Sequence, residues 1–316
     1  MSLIRKVASA TSIQVLGKIL GLAVSVITVG LLTRYLQTEG YGNYTTVLAY
    51  LFFFASFADL GLYVFTVNEL GKSSDKQKLL GNIYGLRATT AVFFLSVAIA
   101  LVWLFPYPHI VKIGVIVAAI SIFFSLLDQI SVAYFQSELS MTRSAIAESL
   151  GKIVIFLGTL LATHLQANLL YLLLAVVAGT IVHYSINFLG VKKSLKVSFR
   201  FDRDVWNDII HKTWPIAVYL LFVLIYFKSD TVLLSILRPE SVAQTEVGIY
   251  GAPYKVLEVL IGFPPLLLGL TSPLLAKAWH QKAHDQFQTL YQKSFDALSI
   301  ITWPIMLGGI ILAEPI

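Results

Sequence analysis

The chain has 316 residues, of which 57% are hydrophobic and 13% charged, with a mean hydropathy of +0.79. Soluble domains carry about 25% charge, so this composition argues against a soluble enzyme and for an integral membrane protein. The net charge of +6 lies in short segments between apolar runs, the pattern of topology signals and anionic-lipid contacts, and not of a nucleic-acid surface. The absence of Cys removes disulfides, thiolate metal sites and a Cys nucleophile.

Arg5 and Lys6 precede an apolar segment that runs on to Leu36 without a small-residue cleavage pattern, so it reads as a retained first span. A membrane crossing takes about 20 mainly apolar residues. Nine spans are predicted, over 11–35, 43–69, 82–105, 110–135, 144–164, 168–190, 214–237, 247–276 and 295–313. Taken alternately, one set of connections holds Arg5, Lys6, Lys72, Lys76, Lys78, Arg143, Lys192, Lys193, Lys196, Arg200, Arg203, Lys212, Lys277, Lys282 and Lys293. The opposite set holds Arg34, Lys112 and Arg238. Fifteen against three predicts a cytoplasmic N-terminus. The outer connections, QTEGYG, PYPH, QAN and RPESVAQTE, are too short for a catalytic domain, so no enzyme is expected.

Within the first half, Gly17 and Gly21, and Gly81 and Gly85, have the small-xxx-small spacing of close helix packing. After six spans comes the longest polar interruption, residues 191–213. There Val197, Phe199 and Phe201 alternate with polar residues. Asp202 or Asp204 is placed to cap a short helix whose Val205, Trp206, Ile209 and Ile210 share a face. Such a helix would lie on the membrane surface with Trp206 at headgroup depth, and Pro215 would open the next span. This elbow divides the chain into a six-helix lobe (1–190), the elbow (191–213) and a three-helix segment (214–316). A short repeat supports two related halves: Thr38 to Tyr44 and Thr245 to Tyr250 both read T-E-x-G-x-Y once one residue is allowed as an insertion.

Several segments carry a family resemblance: the turn at Gly40 to Tyr44, FADLGL at Phe57 to Leu62, FRFDRDVWNDII before Trp214 and Pro215, SDTVLLSIL around Asp230, EVGIYGAPYKVLEVL at Glu246 to Leu260, and the terminal WPIMLGGIILAEPI. In this order and spacing the chain resembles the oligosaccharide flippase (polysaccharide exporter) family, in the superfamily that also holds MATE multidrug exporters and lipid II flippases. The resemblance implies an all-α, MATE-like transporter of two six-helix lobes around a cavity. Against that pattern this chain reads as a complete first lobe and a partial second. The implied function is translocation of an undecaprenyl-pyrophosphate-linked oligosaccharide across a prokaryotic inner membrane by alternating access, for cell-surface polysaccharide synthesis. A MATE-like cation or drug antiporter is the alternative, with a membrane polymerase or glycosyltransferase behind it. The implied partners are the lipid-linked oligosaccharide, membrane lipids and polysaccharide-assembly proteins. No cofactor is expected beyond coupling to an H+ or Na+ gradient.

Ionisable groups inside hydrocarbon cost at least about 2.5 kcal/mol on insertion scales, so each asks for a role. Lys18, Arg87, Lys228 and Lys255 are the expected cations for the pyrophosphate. Asp59, Asp230 and Glu258 would carry a coupling ion or hold those cations in place. Glu148 and Lys152, four apart, and Lys255 and Glu258, three apart, could each neutralise one another on one helix face. Span eight is rich in Gly and Pro, and Pro264 and Pro265 are placed as a gating bend. Gly71-Lys72-Ser73 lacks the rest of a phosphate loop, and His280 and His284 lack the Glu of a zinc-protease motif.

Overall fold

A computed structural model describes residues 3–138, 140–261, 271, 275, 278–279 and 283–311. Helices account for all of the regular structure among them. The order is α1 (Leu3–Asp59), α2 (Leu62–Glu69), α3 (Lys76–Leu101), α4 (His109–Ser137), α5 (Thr142–His164), α6 (Leu169–Leu195), α7 (Arg203–Leu237), α8 (Glu240–Ile261) and α9 (His284–Ile311). Hydrocarbon offers backbone N–H and C=O groups no partner, and a helix satisfies them within itself. Five of the described helices are long and apolar enough to cross a membrane, or six if one bent pair counts as a span. The protein is a multi-pass membrane protein.

Helix ends follow local chemistry. Asp75 accepts from the Lys78 N–H ahead of α3, Asn168 from the Leu170 N–H ahead of α6, and Asp202 from the Asp204 and Val205 N–H groups ahead of α7. Lys196 ends α6 in the left-handed region, with Lys192 and Lys193 in the last turn beside the exposed carbonyls.

Three connections differ from expectation. The connection QTEGYG shrinks to a single residue: α1 consists of two helices that meet at a kink at Gln37, whose φ of 57° and ψ of −174° are not helical. RPESVAQTE is mostly the first turns of α8. The second predicted span, in contrast, is interrupted between Asp59 and Leu62, and the two pieces meet at 43°.

The chain divides into two compact units, Met1–Gly251 and Ala252–Ile316. In the first, one buried cluster joins Val47, Tyr50 and Leu51 of α1 to Leu95 of α3, Val111, Val115 and Ile122 of α4, and Leu173 of α6. A second, nearer the elbow, joins Leu62 and Phe65 of α2, Ile83 and Tyr84 of α3, Ile130 and Tyr134 of α4, and Tyr184 and Val191 of α6. Val197 and Ile209 complete this second cluster, so the elbow closes one end of the helical bundle. In the second unit, Trp279 packs on Phe287, which stacks on Tyr291.

The elbow is held by hydrogen bonds to α3. The Arg200 N–H donates to Gly81 O (3.0 Å), the Asp202 N–H to Asn82 Oδ1 (2.9 Å) and Trp206 Nε1 to Asn82 O (3.0 Å). Gly81 and Gly85 therefore admit an extended segment and not a second helix: a Cβ on Gly85 would sit 1.9 Å from the Arg200 carbonyl oxygen. Trp206 is anchored to α3, and no separate surface helix forms. Once Asp202 has capped the first turn, α7 runs unbroken to Leu237 with Pro215 in its interior, not at its start. Ile209 is buried while Ile210 is 41% exposed, which narrows the expected apolar face.

Candidate functional site

The break in the second span organises the charged residues around it. Leu60 and Gly61 both have positive φ, at 49° and 69°. Interrupting the helix strips the last carbonyls of α1 of their intrahelical partners. Arg87 of α3 answers this. Its Nη1 donates to Ala58 O at 3.3 Å, Thr90 Oγ1 donates to the same oxygen at 3.0 Å, and Arg87 Nη2 lies 2.6 Å from Asp59 Oδ1. Asp59 Oδ2 accepts from the Gly61 N–H at 3.2 Å, and Arg87 Nη2 also reaches Gln129 Oε1 at 3.4 Å. Arg87 is fully buried and Asp59 19% exposed. The guanidinium thus meets a carboxylate and the negative end of a helix dipole together, which only a forked donor can do.

Gly61 also sets the distance to α7. A Cβ there would lie 2.8 Å from the Ile216 side chain and 3.3 Å from the Ala217 nitrogen, so the break packs against the turn just after Pro215. Further along α7, Asp230 accepts from the Tyr250 hydroxyl of α8 and from the Thr231 N–H at 2.7 Å.

Of the sequence-predicted residues, Asp59 and Arg87 are brought together, and Asp230 is tied to α8. Lys255 lies on α8 with an exposed side chain. The side chains of Lys18, Lys228 and Glu258, and the whole of Pro264 and Pro265, lie outside the described residues. Glu148 and Lys152 do pair along their helix, at 2.7 Å, and Lys152 extends to the Gly21 face of α1.

Two features escape sequence reasoning. Where α1 crosses α8, Gly42 and Gly248 face each other: a Cβ on Gly42 would lie 1.6 Å from Gln244 O, and one on Gly248 would lie 2.0 Å from Thr38 O. Thr46 Oγ1 donates to Gln244 Oε1 at 2.7 Å beside them. These are the matching glycines of the two T-E-x-G-x-Y copies, so the repeat held the signal, though nothing in it said that the copies touch. The other feature is a buried Asp128, His183 and Asn187 cluster between α4 and α6, which has no motif.

At the elbow, Asp202 is held below its ordinary carboxylate range, first by the Val205 N–H. Partial burial opposes this, and Lys78, 3.3 Å away, reinforces it.

The fold is shared with transporters of the MOP superfamily. "Lipid II flippase MurJ, inward closed conformation" aligns at a TM-score of 0.67 and 17% identity, covering 98% of this chain and 66% of that one. A multidrug resistance MATE family transporter of the MOP superfamily, inward-facing, aligns at 0.62 and 13% identity, covering 97% and 74%. A MOP superfamily transporter from Pyrococcus furiosus, described as having a binding pocket of reverse polarity, aligns at 0.61 and 13%, covering 97% and 72%. The chain thus spans about two thirds to three quarters of the length of these structures. No curated protein sequence matches it. Residues 3–279 match the family model described as polysaccharide biosynthesis protein, and the chain belongs to that family.

Proposed function

We propose that the protein is a flippase that carries a lipid-linked oligosaccharide, of the undecaprenyl-pyrophosphate kind, from the cytoplasmic to the outer leaflet of a prokaryotic inner membrane. The observation that carries this reading is the polysaccharide biosynthesis match over residues 3–279 on a fold shared with a lipid II flippase. The elbow side then faces the cytoplasm, in keeping with the fifteen basic residues assigned to it.

Alternating access needs one side sealed while the other is open. The Gly42 and Gly248 crossing, with its buried Thr46 and Gln244 hydrogen bond, is the seal on the side away from the elbow. Backbones this close gain dispersion contacts that lapse once the helices part, so the seal is tight and reversible. Lys228 and Lys255 are the cations proposed to meet the pyrophosphate, with Lys18 behind them. A lysine ammonium attracts phosphate as a point charge without the fixed fork of arginine, which suits a substrate that must be released. In this reading Arg87 acts through Asp59, holding the broken span, and Asp230 and Glu258 position the lysines or take the coupling ion.

The test uses proteoliposomes containing a fluorescent undecaprenyl-pyrophosphate oligosaccharide and a membrane-impermeant quencher. The wild-type chain should render the inner-leaflet label quenchable. A Lys228→Gln/Lys255→Gln variant should slow this at least about tenfold, as befits the loss of about 1.4 kcal/mol or more. Quenching no faster than in protein-free vesicles refutes the flippase reading. Transport of a cationic dye in its place, indifferent to the two substitutions, establishes a MATE-like exporter.

A further inference from the structure

The Asp128 cluster has no part in that reading. Asp128 lies on α4, 5% exposed, about 14 Å along the axis from the helix end at Ser137 by the rise of about 1.5 Å per residue. Its Oδ1 accepts from Asn187 Nδ2 of α6 at 2.9 Å, and its Oδ2 lies 3.3 Å from His183 Nε2 of the same helix. That second contact does not form a hydrogen bond. His183 Nε2 is buried without a hydrogen-bond partner, and so is Asn187 Oδ1.

Elsewhere in the bundle Tyr84 closes its hydrogen bond with Ser131 (2.8 Å) and Tyr50 with Ala98 O (2.8 Å). This cluster leaves one open atom on each side of a buried carboxyl. Other charges surround it: α5 contributes Glu148, held by Lys152, and Arg143, packed on Gly190. From α3 come Tyr84 and Arg87, the latter turned to Asp59, and from α6 Tyr184. Histidine is the residue type there that most readily gains and loses a proton under physiological conditions.

We propose that Asp128 and His183, positioned by Asn187, form a site inside the bundle that binds and releases one proton. With Asp128 ionised and His183 neutral the pair carries one negative charge. A proton arriving on Nε2 cancels it and supplies the donor that the 3.3 Å contact lacks. Departure of the proton restores the charge and loosens α4 from α6. Use of this change to couple transport to a proton gradient rests on the flippase reading above; the binding of the proton does not.

The test is a pH titration of the purified full chain in nanodiscs carrying labelled histidine, followed by NMR of the imidazole ring over about pH 5 to 8. His183→Gln identifies the resonance by its disappearance. The resonance should titrate within the window, and its midpoint should differ by about one pH unit or more between wild type and Asp128→Asn. Should Asp128→Asn fail to fold, Asn187→Ala replaces it, because loss of the amide donor alters the same carboxyl. A His183 signal that does not titrate, or does so identically in the variants that fold, overturns the site. Lipid translocation indifferent to an imposed pH difference, with the titration present, overturns the coupling alone. Absence of translocation altogether refutes the flippase reading and leaves the site standing.

Discussion

Replacing Arg87 with Leu tests whether the broken span is held as described. The substitution leaves Asp59 facing apolar surroundings and takes one of two donors from Ala58 O. Breaking a buried ion pair from one side costs about 3–5 kcal/mol. Asp59 retains 19% exposure, so water screens part of the loss and the lower end, about 3 kcal/mol, is expected. At roughly 2–4 °C per kcal/mol, the midpoint of thermal unfolding, followed by tryptophan fluorescence in detergent, should fall by about 6–12 °C. The Asp59→Leu/Arg87→Leu double variant should come within about 1 kcal/mol of the wild type, because a buried pair replaced on both sides is often neutral. A drop below about 2 °C for Arg87→Leu, or a double variant whose loss equals the sum of the single losses, refutes the reasoning. The same double variant separates structural support from substrate contact, since a stable protein that still translocates lipid removes Arg87 from the phosphate-binding set.

Gly85→Val should lift the elbow from α3, because its Cβ would sit 1.9 Å from the Arg200 carbonyl oxygen; limited trypsinolysis at Arg200 and Arg203 should speed up, with Gly71→Ala, which has no close neighbour, as the unaffected control. The low-lying titration of Asp202 gives docking of the elbow a stabilising contribution that is complete above the ordinary carboxylate range. That contribution is lost as pH falls through the depressed folded value. Acid-dependent exposure of the elbow to trypsin-independent labelling should therefore set in at a different pH in Asp202→Asn, and an identical profile would remove Asp202 from this role. Because the chain has no Cys, Thr46→Cys/Gln244→Cys, beside the 2.7 Å hydrogen bond, can be joined by a short reducible bis-methanethiosulfonate: bridging it should arrest lipid translocation and reduction should restore it, while unchanged transport in the bridged protein would show that the crossing is not a moving seal.

Composition and periodicity determined a helical, multi-pass membrane protein, because about 20 apolar residues bounded by charge have few other structures available in lipid; against the nine predicted spans, five of the described helices, or six with the bent pair, are long and apolar enough to cross. Motif order determined the family, and the Asp202 cap was readable because an N-cap depends on neighbours within three residues. The interruption at Asp59 to Leu62 was not readable. FADLGL is apolar enough to continue a helix, and only the Arg87 and Thr90 donors on α3, together with the packing of Gly61 on α7, make the break tolerable. For the same reason Asp59 and Arg87 were separate candidates in sequence and are one ion pair in space. Asp128 and His183 lie 55 positions apart on different helices, and no local pattern reports such a meeting. What the sequence by itself determined is therefore everything set by local hydrogen bonding and by partition between water and lipid. Which charges find each other, where a span can afford to break and which glycines touch were decided only when α1, α3, α4, α6, α7 and α8 came together, because each of those outcomes depends on groups that another helix supplies.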